Sequence, residues 1–130
     1  MNMEISFPGG QKVDASYNGF TVHTDQPSEA GGNDTAPSPF DLFWASLGTC
    51  AGYYVLQFCR DRGIPTEEIE LNLRTHKNQE KKLVDRVQIE IKLPPAFPDK
   101  YRKAIIKAAE TCTVKKHLKT PPAIETVIAD

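Results

Sequence analysis

The stretch SPFDLFWASLGTCAGYYVLQFCRDR, residues 38 to 62, decides how the rest of the chain must fold. Ser38 is a good helix N-cap, Pro39 suits the first helical position, where no N–H partner is needed, and Asp41 falls three residues after the cap, where an acidic side chain can close a capping box. The start is well marked. At the other end Arg60 and Arg62 complement the negative end of the helix dipole, Gly63 offers a left-handed terminating residue and Pro65 blocks continuation. From Leu42 to Cys59 there is no charged residue. A helix of about 37 Å with such a run has no broad solvent face, so it must be wrapped by other elements or by a partner subunit.

Cys50 lies mid-helix inside Gly48-Thr49-Cys50-Ala51-Gly52. Two glycines in a helix interior cost roughly 1 kcal/mol each relative to alanine, so they need a packing or access reason. Cys50 itself reads either as a small buried hydrophobe or as a reactive thiol served by that access. Cys59, nine residues further on, is half a helical turn away and cannot serve the same face, which makes it core packing.

Outward from the helix, residues 3 to 7, 11 to 17 and 20 to 24 read as strands. Pro8-Gly9-Gly10 separates the first two, and Asn18-Gly19 is a type I′ hairpin signal before the third. The predicted meander leads through a loop, DQPSEAGGNDTAP (25 to 37), straight to the Ser38 cap. After Pro65, Ile69, Leu71 and Leu73 alternate with polar residues, and so do Val87, Ile89, Ile91 and Leu93. These are two one-face-buried strands, most simply an antiparallel hairpin joined by the polar connection HKNQEKK. Pro98 and Asp99 open a second helix on which Tyr101, Ile105, Ala108, Ala109 and Cys112 share a face. Weak helix formers at Thr111, Thr113 and Val114 predict a break around Cys112 and then a short turn through His117. Ala123 to Ala129 reads as a final strand. The order is that of an α+β protein with one domain over residues 1 to 130.

The totals exclude several classes. A chain of 130 residues with 39% hydrophobic and 25% charged residues is an ordinary globular protein, and a net charge of -1 gives no electrostatic case for nucleic acid or membrane partners. The charge is unevenly divided, with a net of -5 over residues 1 to 59 and +4 over residues 60 to 130. MNMEISFPGG does not resemble a secretory leader, and a cytoplasmic location is expected. The uncharged helical run is broken by Ser46, Thr49, Gln57, two glycines and two tyrosines, a poor membrane span. Three cysteines, an odd count, argue for free thiols rather than a disulfide framework. Cys112 and His117 have a C-x4-H spacing, but no C-x-x-C or H-x-x-x-H pair completes a tetrahedral set, so no structural zinc site is expected. Cys112 ends the apolar face of the second helix and can meet Cys50 only if that helix docks on the central one.

The Ser-Pro-Phe-Asp-Leu helix start, Cys50 eight residues after Leu42, the two alternating strands and Cys112 at the end of an amphipathic helix together resemble the OsmC/Ohr family, named for osmotically induced protein C and organic hydroperoxide resistance. The resemblance covers most of the chain. It implies an intertwined homodimer with the long helices buried between subunits and a site that needs no metal and no organic cofactor. Cys50 would be the peroxidatic thiol, attacking an organic hydroperoxide, and Cys112 would resolve the sulfenic acid as a disulfide that a dithiol reductant reduces again. Phe40, Phe43, Trp44 and Tyr54 would line an apolar pocket for the substrate. The hydroperoxide reductases of this family use an arginine from the N-terminal region and a glutamate ten residues before the first cysteine. In this chain Phe40 occupies that second position and no arginine precedes Arg60, leaving Lys12, His23, Lys115 and His117 as the available replacements. Thr113 stands where many relatives have proline. The same scaffold without turnover would serve as a binder of a small hydrophobic ligand or as a thiol redox sensor.

Overall fold

A computed structural model of the chain describes residues 1–129. Its contacts divide the chain into two compact units, Met1–Ala45 and the part from Ser46 onward. The first unit is an antiparallel meander of β1 (Glu4–Gly9), β2 (Lys12–Tyr17) and β3 (Phe20–Thr24). Asn18 and Gly19 both take positive φ, 46° and 81°, the signature of the type I′ turn that matches strand twist, and Tyr17 pairs with Phe20 across it. The apolar side chains of the outer strand are not covered: Ile5 is 52% and Phe7 82% exposed.

The loop after β3 is organised by one carboxylate. Asp25 is fully buried and accepts from the backbone N–H groups of Gln26, Asn33 and Thr35 and from the Thr35 hydroxyl, at 2.8, 3.3, 3.1 and 2.6 Å. Asp25 N–H in turn donates to the Pro37 carbonyl, fixing the approach to the helix. The loop folds so tightly that a Cβ on Gly32 would collide with the Gln26 backbone. The Thr35 hydroxyl is the chief cause holding the Asp25 pKa down at about 2, with the backbone donors adding to it and burial opposing them.

Helix α1 runs Pro39–Asp61, its first turns in the first unit and the remainder in the second. The Ser38 hydroxyl accepts from the Asp41 N–H at 3.2 Å, the predicted cap. The other end is a Schellman motif: Gly63, at φ 64°, donates to the Arg60 carbonyl and Ile64 to the Cys59 carbonyl. Leu47, Ala51, Val55, Phe58 and Cys59 form its buried stripe at helical spacing. The helix is not wrapped all round within one chain, because Phe40 is 57% and Tyr53 53% exposed on its uncharged outer surface.

In the second unit the stripe packs into a core with Phe97, Ile105 and Ala109, bordered by Ile64, Ile69, Leu71, Ile89, Ile91 and Leu93. The last four come from the hairpin of β4 (Glu70–Asn78) and β5 (Leu83–Lys92) or its flank, and their alternate burial is the predicted one. The hairpin is longer than its apolar pattern. Pairing continues through His76, Lys77 and Asn78 past a register irregularity, since a backbone ladder needs no apolar side chain, and Asp85 accepts from His76 at 2.9 Å and Asn78 at 3.1 Å. Gly48 faces Leu73 of β4 at ordinary contact distance, whereas nothing lies within 4 Å of where a Cβ of Gly52 would be.

A single turn over Asp99–Tyr101 leads into α2 (Arg102–Glu110), the chain breaks at Thr111 and Cys112, and α3 comes next (Thr113–Lys119). The break lies at the predicted residue, but it opens a seven-residue helix and not a short turn. The predicted final strand, Ala123 to Ala129, is absent: residues 121–129 pair with no strand, and Ile124, Val127 and Ile128 are 86%, 79% and 93% exposed. Its alternation is suited to a strand, but a strand exists only against an edge that accepts it, and no edge among the described residues does.

The buried carboxylate predicts an acid response. A folded-state pKa of about 2 against an ordinary 3.8 means that Asp25 contributes stability above pH 4 and loses it as pH falls towards 2. Thermal melts should therefore show Asp25→Asn destabilised at pH 7, with the gap from the parent protein closing as pH approaches 2.

Candidate functional site

The second unit brings together two of the three thiols. Cys50, on α1, is half-buried. Cys112 is 1% exposed, at the break between α2 and α3, and it reaches α1 because Ile105 and Ala109, seven and three residues earlier, are anchored in the core. Its thiol lies 3.9 Å from the Leu47 carbonyl, one helical turn before Cys50, and it also donates to Cys50. The break gives Cys112 a second task. With φ -48° and ψ 127° it is the N-cap of α3, and its Sγ accepts from the Lys115 N–H at 3.4 Å.

Opposite environments act on the two sulfurs. Burial pushes the Cys50 thiol up, but the Val114 N–H, the Cys112 thiol, the Thr113 N–H and the Thr113 hydroxyl all donate to it, and together they bring its pKa below the ordinary value. Each of these donors is uncharged. Burial also raises Cys112, the Lys115 N–H offsets part of the rise, and negative charge on the neighbouring Cys50 drives it further up. When one of the pair ionises, the electrostatics favour Cys50, and the protonated Cys112 becomes its donor.

Cys59 takes no part. It is fully buried among Val55, Phe58 and Ile105, and burial raises its pKa, with the nearby Arg62 opposing. Arg62 itself stacks over the Phe58 ring at 3.7 Å and donates to the Phe58 carbonyl.

The other candidate residues fall in separate places. Phe40, Phe43 and Trp44 form an aromatic cluster within the first unit, with ring centroids 4.8 to 6.1 Å apart. Tyr54 belongs to the second unit, where its hydroxyl is 3.1 Å from the Thr113 hydroxyl and its ring meets Tyr53 edge-on. Of the candidate cations, His23 is bonded to Asp14 at 3.0 Å within the meander, and the His117 ring donates to the Thr113 carbonyl at 2.7 Å. Lys115 serves through its backbone N–H. Sequence reasoning did not find the donors at the start of α3. Their one trace in the sequence is the pair of weak helix formers, Thr111 and Thr113, on either side of Cys112.

The profile described as OsmC-like protein matches residues 31–127. The chain belongs to the OsmC-like family. A search of curated proteins found no match. Among solved structures, a Psychrobacter arcticus 273-4 protein named for osmotic stress induction and the detoxification response superposes with a TM-score of 0.74 at 24% identity, covering 89% of this chain and 86% of that one. The OsmC-like protein of Mycoplasma pneumoniae gives 0.71 at 10% identity, over 92% and 87% of the two chains. An organic hydroperoxide resistance protein from Elizabethkingia anophelis, with thiocyanate bound, gives 0.55 at 18% identity, over 93% and 90%. At these identities the likeness is one of fold. The OsmC-like scaffold accounts for the meander, the long helix, the hairpin and the C-terminal helices. Among the described residues no helix is long and apolar enough to cross a membrane.

Proposed function

We propose that this OsmC-like protein is a two-cysteine reductase of organic hydroperoxides, with Cys50 as nucleophile and Cys112 as resolving thiol. The observation that carries the reading is the meeting of these two sulfurs with pKa values displaced in opposite directions, Cys50 down and Cys112 up. The thiolate of Cys50 attacks the distal oxygen of R–O–O–H. The O–O bond breaks, RO⁻ leaves and takes up a proton as the alcohol, and Cys50 becomes a sulfenic acid. Cys112 gives up its proton and attacks the Cys50 sulfur, expelling the hydroxyl as water and forming the disulfide. A dithiol reductant then restores both thiols by exchange, a cycle suited to a reducing compartment such as the cytoplasm. The donors that hold the Cys50 anion are neutral, whereas the resemblance leads one to expect an arginine. A modest rate is therefore expected.

The active unit is proposed to be a homodimer. Supporting this are the exposed uncharged surface of α1 around Tyr53, the open space beside Gly52, and the bare apolar side chains of β1 and of residues 124–128. Charge-free surface of this kind is costly to leave in water, and strand-like segments seek an edge.

A second reading, favoured by the aromatic cluster of Phe40, Phe43 and Trp44 with Phe40 largely exposed, is that the chain binds a small apolar ligand there without chemistry.

Three measurements test these readings. With cumene hydroperoxide, intact-mass and peptide analysis should find the Cys50–Cys112 disulfide. Cys112→Ser should accumulate the Cys50 sulfenic acid, and Cys50→Ser should lose peroxide consumption; a parent protein whose thiols survive the peroxide excludes the reductase. Sedimentation should give twice the 14.5 kDa chain mass, and a single-chain mass at micromolar concentration would refute the dimer. A thermal upshift with fatty acids that persists in Cys50→Ser but is lost in Phe40→Ala with Trp44→Ala would support the binding reading, and no upshift would end it.

A further inference from the structure

Tyr54 lies four residues after Cys50, so the two side chains stand one above the other on the same face of α1. Facing them is Thr113, the first residue of α3 and the neighbour of Cys112. Thr113 bears on both. Its hydroxyl is 3.1 Å from the Tyr54 hydroxyl, and its hydroxyl and N–H are among the causes that lower the Cys50 pKa. A threonine hydroxyl has one proton and two lone pairs. If its proton is directed to Cys50, its oxygen is left to accept, and the Tyr54 O–H is the donor in place to fill it.

We infer that Thr113 and Tyr54 form a positioning pair for the Cys50 thiolate: the Tyr54 hydroxyl donates to Thr113 Oγ1 and thereby turns the Thr113 O–H onto the Cys50 sulfur. The inference rests on Cys50 being the reactive thiol of the proposed reductase and adds the neutral device that holds it. Thr113 touches the reacting atom, whereas Tyr54 acts only through Thr113. The chain of two hydroxyls is cooperative, since a hydroxyl that accepts a hydrogen bond becomes a better donor. It also joins α1 to the start of α3 beside Cys112, so the group that steadies the nucleophile is fixed to the segment that carries the resolving thiol. Among the described residues, Cys112, from the break between α2 and α3, and Tyr54, through Thr113, from its own helix, are titratable groups placed against Cys50. The device thus works by hydrogen bonding and needs no cation.

The test is site-resolved alkylation with iodoacetamide across pH, on the full chain, in the parent protein and in Thr113→Val, Thr113→Ser and Tyr54→Phe. Only the thiolate reacts, so the rate at a pH below the pKa reports how well the anion is held, and the plateau above it does not. Loss of one neutral hydrogen bond should slow Cys50 alkylation near neutral pH about fivefold in Thr113→Val, and about twofold in Tyr54→Phe, where the donor remains but is no longer oriented. The plateau rates should stay the same, and Thr113→Ser should restore the parent profile. Cys59 serves as an internal control, because in a folded variant it stays unreactive. Should Thr113→Val unfold and expose Cys59, Tyr54→Phe, which removes a single oxygen, decides the matter alone. Superposition of either folded variant on the parent profile, or failure of serine to rescue, overturns the assignment. Peroxide plays no part in this readout. Absence of turnover with cumene hydroperoxide together with the expected alkylation shifts would remove the reductase and leave the hydroxyl pair standing.

Discussion

The docking of the α2–α3 break against the middle of α1 is the constraint that places two thiols of distant sequence positions side by side. Neither partner is special alone. Mid-helix, Cys50 is far from both helix ends and gains little from the dipole of α1, which acts mainly in the terminal turns. A break in another helix supplies what α1 cannot, because the first residues of a helix present N–H groups with no internal partner. Burying Ile105 and Ala109 holds that break in place, and Cys112, Thr113 and Val114 then meet Cys50 together. Core packing thus brings neutral donors to Cys50.

The same arrangement divides labour between two chemically identical side chains. Desolvation acts on both sulfurs and pushes both pKa values up. Cys50 has four donors directed at it, while Cys112 spends its acceptor capacity on the Lys115 N–H and its proton on its neighbours. Cys59, fully buried, shows the contrast: a thiol of the same helix whose pKa burial raises, with Arg62 opposing.

Away from the thiols, the first unit depends on Asp25 in a comparable way. A thirteen-residue polar loop would ordinarily be held by little, yet one buried carboxylate collects three backbone donors and a hydroxyl, and Gly32 lets the chain close around it. The loop carries the chain from β3 to the Ser38 cap with its two ends tied by the bond from Asp25 N–H to the Pro37 carbonyl. Its composition gave no sign of this, because the aspartate that matters is one of several acids in the segment and differs only in being enclosed.

The limits of α1 were set by its own residues: Ser38, Pro39, Gly63 and Pro65 act on the backbone locally, and local chemistry survives whatever the rest of the chain does. The meander turn at Asn18-Gly19, the alternation of β4 and β5 and the break at Cys112 are of the same kind. By contrast, the final strand was expected from an alternation that is present in the sequence, but pairing needs an edge, and none among the described residues is offered to residues 123–129. The pairing of Cys50 with Cys112 lay beyond any periodicity, since 62 residues separate them and only the packing of α2 decides the distance. The sequence by itself determined the limits of α1, the turn at Asn18-Gly19 and the break at Cys112, because caps, glycines, prolines and weak helix formers act over a few residues. Tertiary structure alone decided which thiol would have its pKa lowered and which raised, because a pKa is set by whatever neighbours folding brings to the sulfur.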